Sequence, residues 1–291
     1  MIIREQLNGF VKKLMNAIKG WKKTSLRYTG NFTEVIKMVK LHSSSMFIKD
    51  PVDVFGNETT IGLVEHAVRT HAPPLLCDGR GAIKFYDDYE QPTTKFSNVS
   101  VGSSTAARSI DTCRVGSFSM KLTTGATTDD LIRCVYYTNG LNKDRIGCGT
   151  SFAPGDTPTS MENSYLSILL GYDDDAVYHY GELRLDSELG KIQIYNSAGT
   201  YTDIATISQT VGLFSNKNRW ADIKLVMNVS TNKYVRAILY GIEYDISDYN
   251  IYTSASVAPR KVQGSIEIKT KEAVTHAVYV DNFIITENEP E

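Results

Sequence analysis

Carboxylates at alternate positions are the first residues whose spacing could do chemistry. Glu182, Arg184, Asp186 and Glu188 lie two apart, and alternate residues of a strand share one face. Retaining cleavage of a glycosidic bond needs two carboxyl groups about 5–5.5 Å apart, a spacing that one strand face can supply. Glu188-Leu189-Gly190 reads as a turn, so the four side chains are expected to form a solvated strand face. The aromatic set Tyr165, Tyr172, Tyr178, Tyr180, Tyr195 and Tyr201 is dense through the same region. Aromatic faces with nearby polar groups on a concave surface suit a sugar, which makes Tyr172, Tyr178 and Tyr180 candidate glycan contacts. The same rings could equally be core residues or cross-strand pairs. Asp173-Asp174-Asp175 follows a strand ending at Tyr172. Hard oxygen ligands suit Ca²⁺, so Asp173 and Asp175 are the candidate ligands, although the spaced Asp/Asn and terminal Glu of a dedicated loop are missing. No other cofactor or metal is expected.

Other chemistries find little support. His42, His66, His71, His179 and His276 are scattered, with no His-x-x-x-His or Gly-x-Ser-x-Gly context. Cys148 lies between two glycines, which alone do not lower a thiol pKa. The four cysteines, Cys77, Cys113, Cys134 and Cys148, show no CxxC spacing. Cys113 and Cys134 could face each other across strands, but free buried thiols in a reducing cytosol fit better. Gly79-Arg80-Gly81 and Gly147–Gly149 lack the longer phosphate-loop pattern.

The elements that must position these residues are strands. In Arg219–Val229, Trp220, Ile223, Leu225, Met227 and Val229 fall mostly on one side of a two-residue repeat, the period of a strand with one buried face. Ser230-Thr-Asn-Lys233 then reads as a polar turn and Gly241 as a tight reversal. The other candidate strands are 83–89, 95–101, 109–113, 118–123, 131–138, 145–152, 165–172, 177–185, 191–195, 234–240, 243–246, 263–270 and 277–286. Fourteen short strands with Pro- and Gly-rich turns and no intervening helix point to an all-β, two-sheet antiparallel jelly-roll sandwich. Seventeen Tyr and ten Phe in 291 residues suit half-buried pleated surfaces.

The front of the chain differs. Residues 1–40 hold nine basic and two acidic side chains, a balance of +7, which leaves −9 for the rest. A basic head on an acidic body points to a docking role for the head. Ile3, Leu7, Phe10, Leu14, Ile18 and Trp21 recur at helical spacing, flanked by lysines. A helix over 2–23 would be roughly 33 Å long and marginal alone, so it should lie on a surface. Packing on sister chains or a larger assembly is the leading reading. A lipid surface, a cap on the sandwich core, and nucleic acid are the alternatives weighed. No apolar run is long enough for a membrane span, and lysines interrupt any secretory signal. The expected organisation is 1–24 basic amphipathic anchoring helix, 25–82 extended connector, 83–291 jelly roll. Glu34–Leu41 reads as either strand or short helix, and Thr60–Thr70 as either a short helix or an extended arm.

Phe85-Tyr86-Asp87-Asp88-Tyr89-Glu90, Gly116–Thr123, Arg219–Leu225 and Val278–Ile285 resemble the opening, early, Trp-bearing and closing strands of concanavalin-A-like, laminin-G-like jelly rolls. The resemblance covers roughly residues 83–286. The combination, with the hairpin Gly190–Asp203, also looks like the C-terminal domain of tailed-phage and prophage virion structural proteins, in which a short N-terminal segment attaches the domain to the particle. The resemblance implies a non-enzymatic virion protein, assembled in the host cytoplasm and displayed as capsid decoration, head fibre or tail-associated piece. Its implied partners are its own copies, in a homo-oligomer such as a trimer, and capsid or tail proteins. A carbohydrate-binding module recognising host-surface glycans is the alternative function. Glycosidase activity is a third: laminarinase-like relatives resemble one another in a Glu-x-Asp-x-Glu strand, and Arg184 stands where their first catalytic Glu would be. No catalytic residue, nucleic-acid partner or membrane span is therefore expected.

Overall fold

The computed structural model describes residues 80–93, 95–139, 144–155, 161, 163–207 and 219–291. The chain divides into two compact units, Met1–Val52 and Asp53–Glu291, and every described residue lies in the second. The expected anchoring helix, with Ile3, Leu7, Phe10, Leu14, Ile18 and Trp21, and the connector up to residue 79 lie outside the described residues.

Among the described residues sixteen strands follow one another: β1 (Ala82–Asp87), β2 (Ser97–Val101), β3 (Thr105–Ser109), β4 (Ser119–Thr123), β5 (Leu131–Asn139), β6 (Arg145–Pro154), β7 (Ser164–Asp173), β8 (Val177–Asp186), β9 (Lys191–Tyr195), β10 (Tyr201–Thr206), β11 (Ala221–Asn228), β12 (Lys233–Leu239), β13 (Ile242–Asp245), β14 (Tyr252–Ala255), β15 (Lys261–Thr270) and β16 (Ala277–Glu287). They form two antiparallel sheets. The first runs β13-β12-β11-β6-β16-β4-β3, with β1 also on β16; the second runs β10-β9-β8-β7-β15-β5-β2, with β14 also on β8. Among the described residues there is no helix, and none is therefore long and apolar enough to cross a membrane. The fold is the expected two-sheet jelly-roll sandwich.

Alternation builds the core and, at the same time, the face that matters for function. On β7, Leu166, Ile168 and Leu170 point inward and are fully buried. Ile266 and Ile268 of β15, Ile132 and Cys134 of β5, Leu183 and Leu185 of β8, and Ile192 and Ile194 of β9 join them in one cluster. Each such aliphatic side chain contributes about 1.5–3 kcal/mol on burial. Their strand neighbours Tyr165, Ser167, Glu267, Arg133, Arg184 and Gln193 must then stand on the opposite face. In the first sheet, β16 changes parity midway. Val278 and Val280 face the core before a register shift between Asp281 and Ile284, and Phe283 and Ile285 face it afterwards. Asn282 sits there at φ 55°. One extra residue in a bulge turns the following side chains over, so both halves of the strand stay packed.

Several expectations need correction. β11 has two buried faces, not one: Ile223, Leu225 and Met227 enter the core, while Lys224 and Val226 on the other side are also buried. The carboxyl-terminal segment covers that outer side. Glu289 reaches Lys224 at 2.7 Å and also pairs with Arg236, while Arg236 Nη1 donates to the Pro290 carbonyl at 2.8 Å. Trp220 precedes β11 and is only partly buried. β3 spans Thr105–Ser109, not the expected 109–113. Residues 111–118 lie outside any strand, and the Asp281 carboxylate accepts the backbone N–H groups of Arg114 and Val115 at 2.8 and 3.1 Å. β14 falls in no expected strand, and the expected hairpin Gly190–Asp203 takes in only the first half of β10. Cys134 and Cys148 are free and buried; Cys113 is free and partly exposed, with no bridge to Cys134.

Candidate functional site

The outer face of the second sheet gathers the reactive side chains. Arg133 on β5 pairs in register with Glu267 on β15, Glu267 with Ser167 on β7, and Ser167 with Arg184 on β8. The row continues to Gln193 on β9 and Asp203 on β10. One line of polar side chains thus crosses six strands. An open cleft of about 600 Å³ lies over it. Six tyrosines line the cleft: Tyr165, Tyr178, Tyr180, Tyr195, Tyr201 and Tyr252. Arg133, Arg184 and Lys269 supply cationic groups, and Glu182 and Glu267 supply carboxylates.

The rings meet where β8 changes partner. Along Val177–Tyr180 it pairs with β14, and along Leu183–Asp186 with β9. Tyr252 stands opposite Tyr180 at that break. Ring centroids run Tyr178–Tyr180 6.1 Å, Tyr180–Tyr195 5.5 Å, Tyr195–Tyr201 5.2 Å and Tyr195–Tyr252 5.8 Å. These are the tilted and edge-on contacts that aromatic quadrupoles favour. Tyr178 lies over Gly171: a Cβ there would meet its hydroxyl at 2.5 Å. From below, the hydroxyl of Tyr234 on β12 accepts the Glu182 N–H at 3.1 Å and donates to the Tyr195 carbonyl at 2.5 Å. Gly181 makes room for it, since a Cβ would stand 3.1 Å from the Tyr234 ring and 3.3 Å from Met227 Sδ.

Glu182 is the hub of the hydrogen bonding. It is 4% exposed. Its Oε1 accepts from Ser167 Oγ at 2.7 Å and Tyr201 at 2.9 Å, and its Oε2 from Tyr180 at 2.6 Å. Burial first, and then the adjacent Glu182 charge, push the Tyr180 and Tyr201 hydroxyls far above their ordinary range. Burial pushes Tyr178 up to about 12. These phenols therefore keep their protons and act as donors, not bases. Burial also raises Glu267, and Arg133 opposes it through Nε and Nη2 bonds of 2.7 and 2.6 Å to Glu267 Oε2.

Arg184 is clamped. Its guanidinium carbon lies 3.3 Å from the centroid of Tyr201 and 4.2 Å from that of Tyr165. Nε and Nη2 both donate to Gln193 Oε1, at 3.0 and 2.7 Å. Gln193 in turn donates to Asp203 Oδ1 at 2.7 Å. Chemically, the cleft offers aromatic faces for stacking, directed donors and acceptors for hydroxyl groups, and two carboxylates of the type that acid–base work uses.

Of the candidate glycan contacts, Tyr178 and Tyr180 line the cleft and Tyr172 does not. Tyr172 shares the inward parity of Leu166, Ile168 and Leu170 and packs in the core. The Glu182–Glu188 series is not a solvated face: Glu182 and Asp186 are buried, and only Glu188 is exposed. Tyr hydroxyls and Ser167 cover Glu182, while Lys271 holds Asp186 at 3.2 Å. The three Asp carboxylates diverge. Asp173 accepts from Ser256 at 2.6 Å, Asp174 from the Ala176 and Val177 amides at 3.0 and 2.6 Å, and Asp175 pairs with Arg260 at 3.0 Å. Among the described residues no cluster of three or more His, Cys, Asp or Glu is arranged to hold a metal. Arg133, Glu267, Lys269 and Tyr252 were not foreseen. The first three carry a readable signal, a charge between two apolar residues in Ile132-Arg133-Cys134 and Ile266-Glu267-Ile268-Lys269.

No family model matches the chain, and no curated protein does. Solved structures do resemble it. An endo-β-1,4-glucuronan lyase from the fungus Trichoderma reesei is 13% identical, covers 71% of this chain and 96% of its own, and superposes with a TM-score of 0.49. A carbohydrate esterase from the Shiga toxin-encoding bacteriophage phi24B is 13% identical over 67% of this chain and 90% of its own, TM-score 0.40. Lectin I-B4 of Griffonia simplicifolia, in its metal-free form, is 12% identical over 69% and 98%, TM-score 0.42. The expectation of a body that performs no chemistry is corrected by these findings. Two of these three structures are named as enzymes.

Proposed function

We infer that the second sheet's outer face is a saccharide-binding site. The cleft itself carries the reading: about 600 Å³, lined by six tyrosines around a polar row. That volume lies within the roughly 300–1,000 Å³ of small-molecule sites. Tyr178, Tyr180, Tyr195 and Tyr252 supply ring faces and edges for pyranose stacking. Arg184, Arg133 and Glu267 supply polar groups from fixed strand positions. A glycan array probed with the full chain tests the reading. Binding to a defined set of saccharides, lost in Tyr195→Ala, supports it; a blank array at high protein concentration overturns it.

A second part of the reading concerns the front of the chain. Its support is the charge split of +7 over residues 1–40 against −9 over the rest, together with the apolar stripe Ile3–Trp21. Such a segment docks a display domain on a larger body, a phage particle in this reading. Deleting residues 2–24 should abolish incorporation into particles and leave saccharide binding intact; incorporation of the deleted chain at the wild-type level overturns it.

A further inference from the structure

Arg184 differs from most cationic side chains of the body; Arg108 shares the difference, but it is spent on the backbone carbonyls of Tyr89 and Glu90. Arg80, Arg114, Arg133, Arg145, Arg236 and Arg260 each hold a carboxylate. Arg184 holds none among the described residues; its polar partner is the neutral Oε1 of Gln193, met through Nε and Nη2. A guanidinium has five N–H groups in a fixed fork. The Nε side being taken by Gln193, the end of the fork remains, made of Nη1 and the second Nη2 hydrogen. Tyr165 and Tyr201 hold the plane from its two neighbours' positions, at 4.2 and 3.3 Å from the guanidinium carbon. The group is therefore positioned in advance, and it lines the cleft.

The carboxylates nearby are already committed. Glu267 is bound by Arg133, and Glu182 is covered by three hydroxyl donors. Asp203 takes Gln193 and Lys191. The cleft lining holds three cationic side chains and two anionic ones. A planar or trigonal anion on the saccharide would complete the fork as a bidentate pair, the geometry for which an arginine is suited and a lysine is not.

We propose that the ligand is an anionic saccharide, with a carboxylate or sulfate group bound end-on by Arg184. The inference rests on the saccharide-binding reading of the same cleft. Calorimetric titration of the full chain tests it with three probes: polygalacturonate oligomers for the carboxylate, their carboxyl-reduced neutral counterparts, and dextran sulfate oligomers for the sulfate. Binding to a charged probe should exceed binding to the neutral one by about tenfold or more, the scale of a charge-assisted hydrogen bond, and should weaken as salt is raised. Arg184→Gln should erase that preference, and Arg184→Lys should keep only a salt-sensitive remnant. A carboxylate preference and a sulfate preference each support the proposal and identify the group. Equal binding of the charged and neutral probes by the wild type overturns the proposal and leaves the saccharide site standing. A preference that survives in Arg184→Gln, with its melting temperature unchanged, also overturns it. Binding of no probe overturns the proposal, and a blank glycan array beside it removes the saccharide reading as well.

Discussion

The hydroxyl of Tyr234 accepts the backbone N–H of Glu182 across 3.1 Å and so fixes the floor of the cleft from the opposite sheet. It also donates to the Tyr195 carbonyl at 2.5 Å, replacing the bond that β8 and β9 would otherwise make at the point where their pairing ends. Tyr234→Phe keeps the ring in the core and removes both bonds. The expected cost is about 1–3 kcal/mol, because a buried amide is left without an acceptor. Urea denaturation should show the loss in midpoint, and saccharide affinity should fall with it; unchanged stability would mean that the bridge carries no weight.

Glu182 gathers three hydroxyl donors, so replacing it disturbs three side chains at once. Glu182→Gln sets an amide N–H₂ against hydroxyls that already donate. Either Tyr180, or Tyr201 together with Ser167, must then turn, depending on which oxygen the amide nitrogen replaces, and affinity for the bound saccharide should drop by about tenfold or more. Titration calorimetry on the variant, with circular dichroism to confirm the fold, measures this.

Gly171→Ala tests the ring of Tyr178. The new Cβ would stand 2.5 Å from the Tyr178 hydroxyl and 2.9 Å from its ring edge. The tip of a flexible side chain can move aside, so the stability change should stay within about 1 kcal/mol. Ligand affinity should nevertheless weaken, because the displaced ring enters the cleft. Wild-type affinity in the variant would remove Tyr178 from the binding surface.

The Asp281 carboxyl gives the fold a pH dependence independent of the cleft. Burial raises it to about 7, against the stabilising N–H groups of Val115 and Arg114. In the unfolded chain it titrates at about 3.9. Between those values the folded form binds more protons, so stability present at low pH is lost as the pH rises through 7, by up to about 1.4 kcal/mol per unit. Asp281→Asn keeps an oxygen acceptor for the two amides and removes the titration. Denaturation midpoints from pH 4.5 to 7.5 should therefore decline more steeply in the wild type than in the variant; parallel slopes would contradict this.

The sandwich was legible because buried strands alternate. Ile132-Arg133-Cys134 and Leu183-Arg184-Leu185 announce both the core and a polar outer face. The cleft was legible only in part. Tyr178 and Tyr180 were named from their density, but parity had to assign Tyr172 to the core. β14, Tyr252-Thr-Ser-Ala, has no apolar rhythm and exists because β8 offers it an edge. Glu182 looks solvated in a linear reading; its burial comes from Tyr201 on β10 and Ser167 on β7, contacts that sequence spacing does not encode. The parity change in β16 is equally silent, because Asp281-Asn282 does not declare a bulge.

Hydroxyl-radical footprinting of the full chain, with and without a saccharide retained on a glycan array, tests the central claim most directly. The account predicts protection of Tyr178, Tyr180, Tyr195 and Tyr252, which line the cleft, and none at Tyr240 on the opposite sheet's exposed rim. Protection at Tyr240 with the four cleft tyrosines unchanged would contradict it.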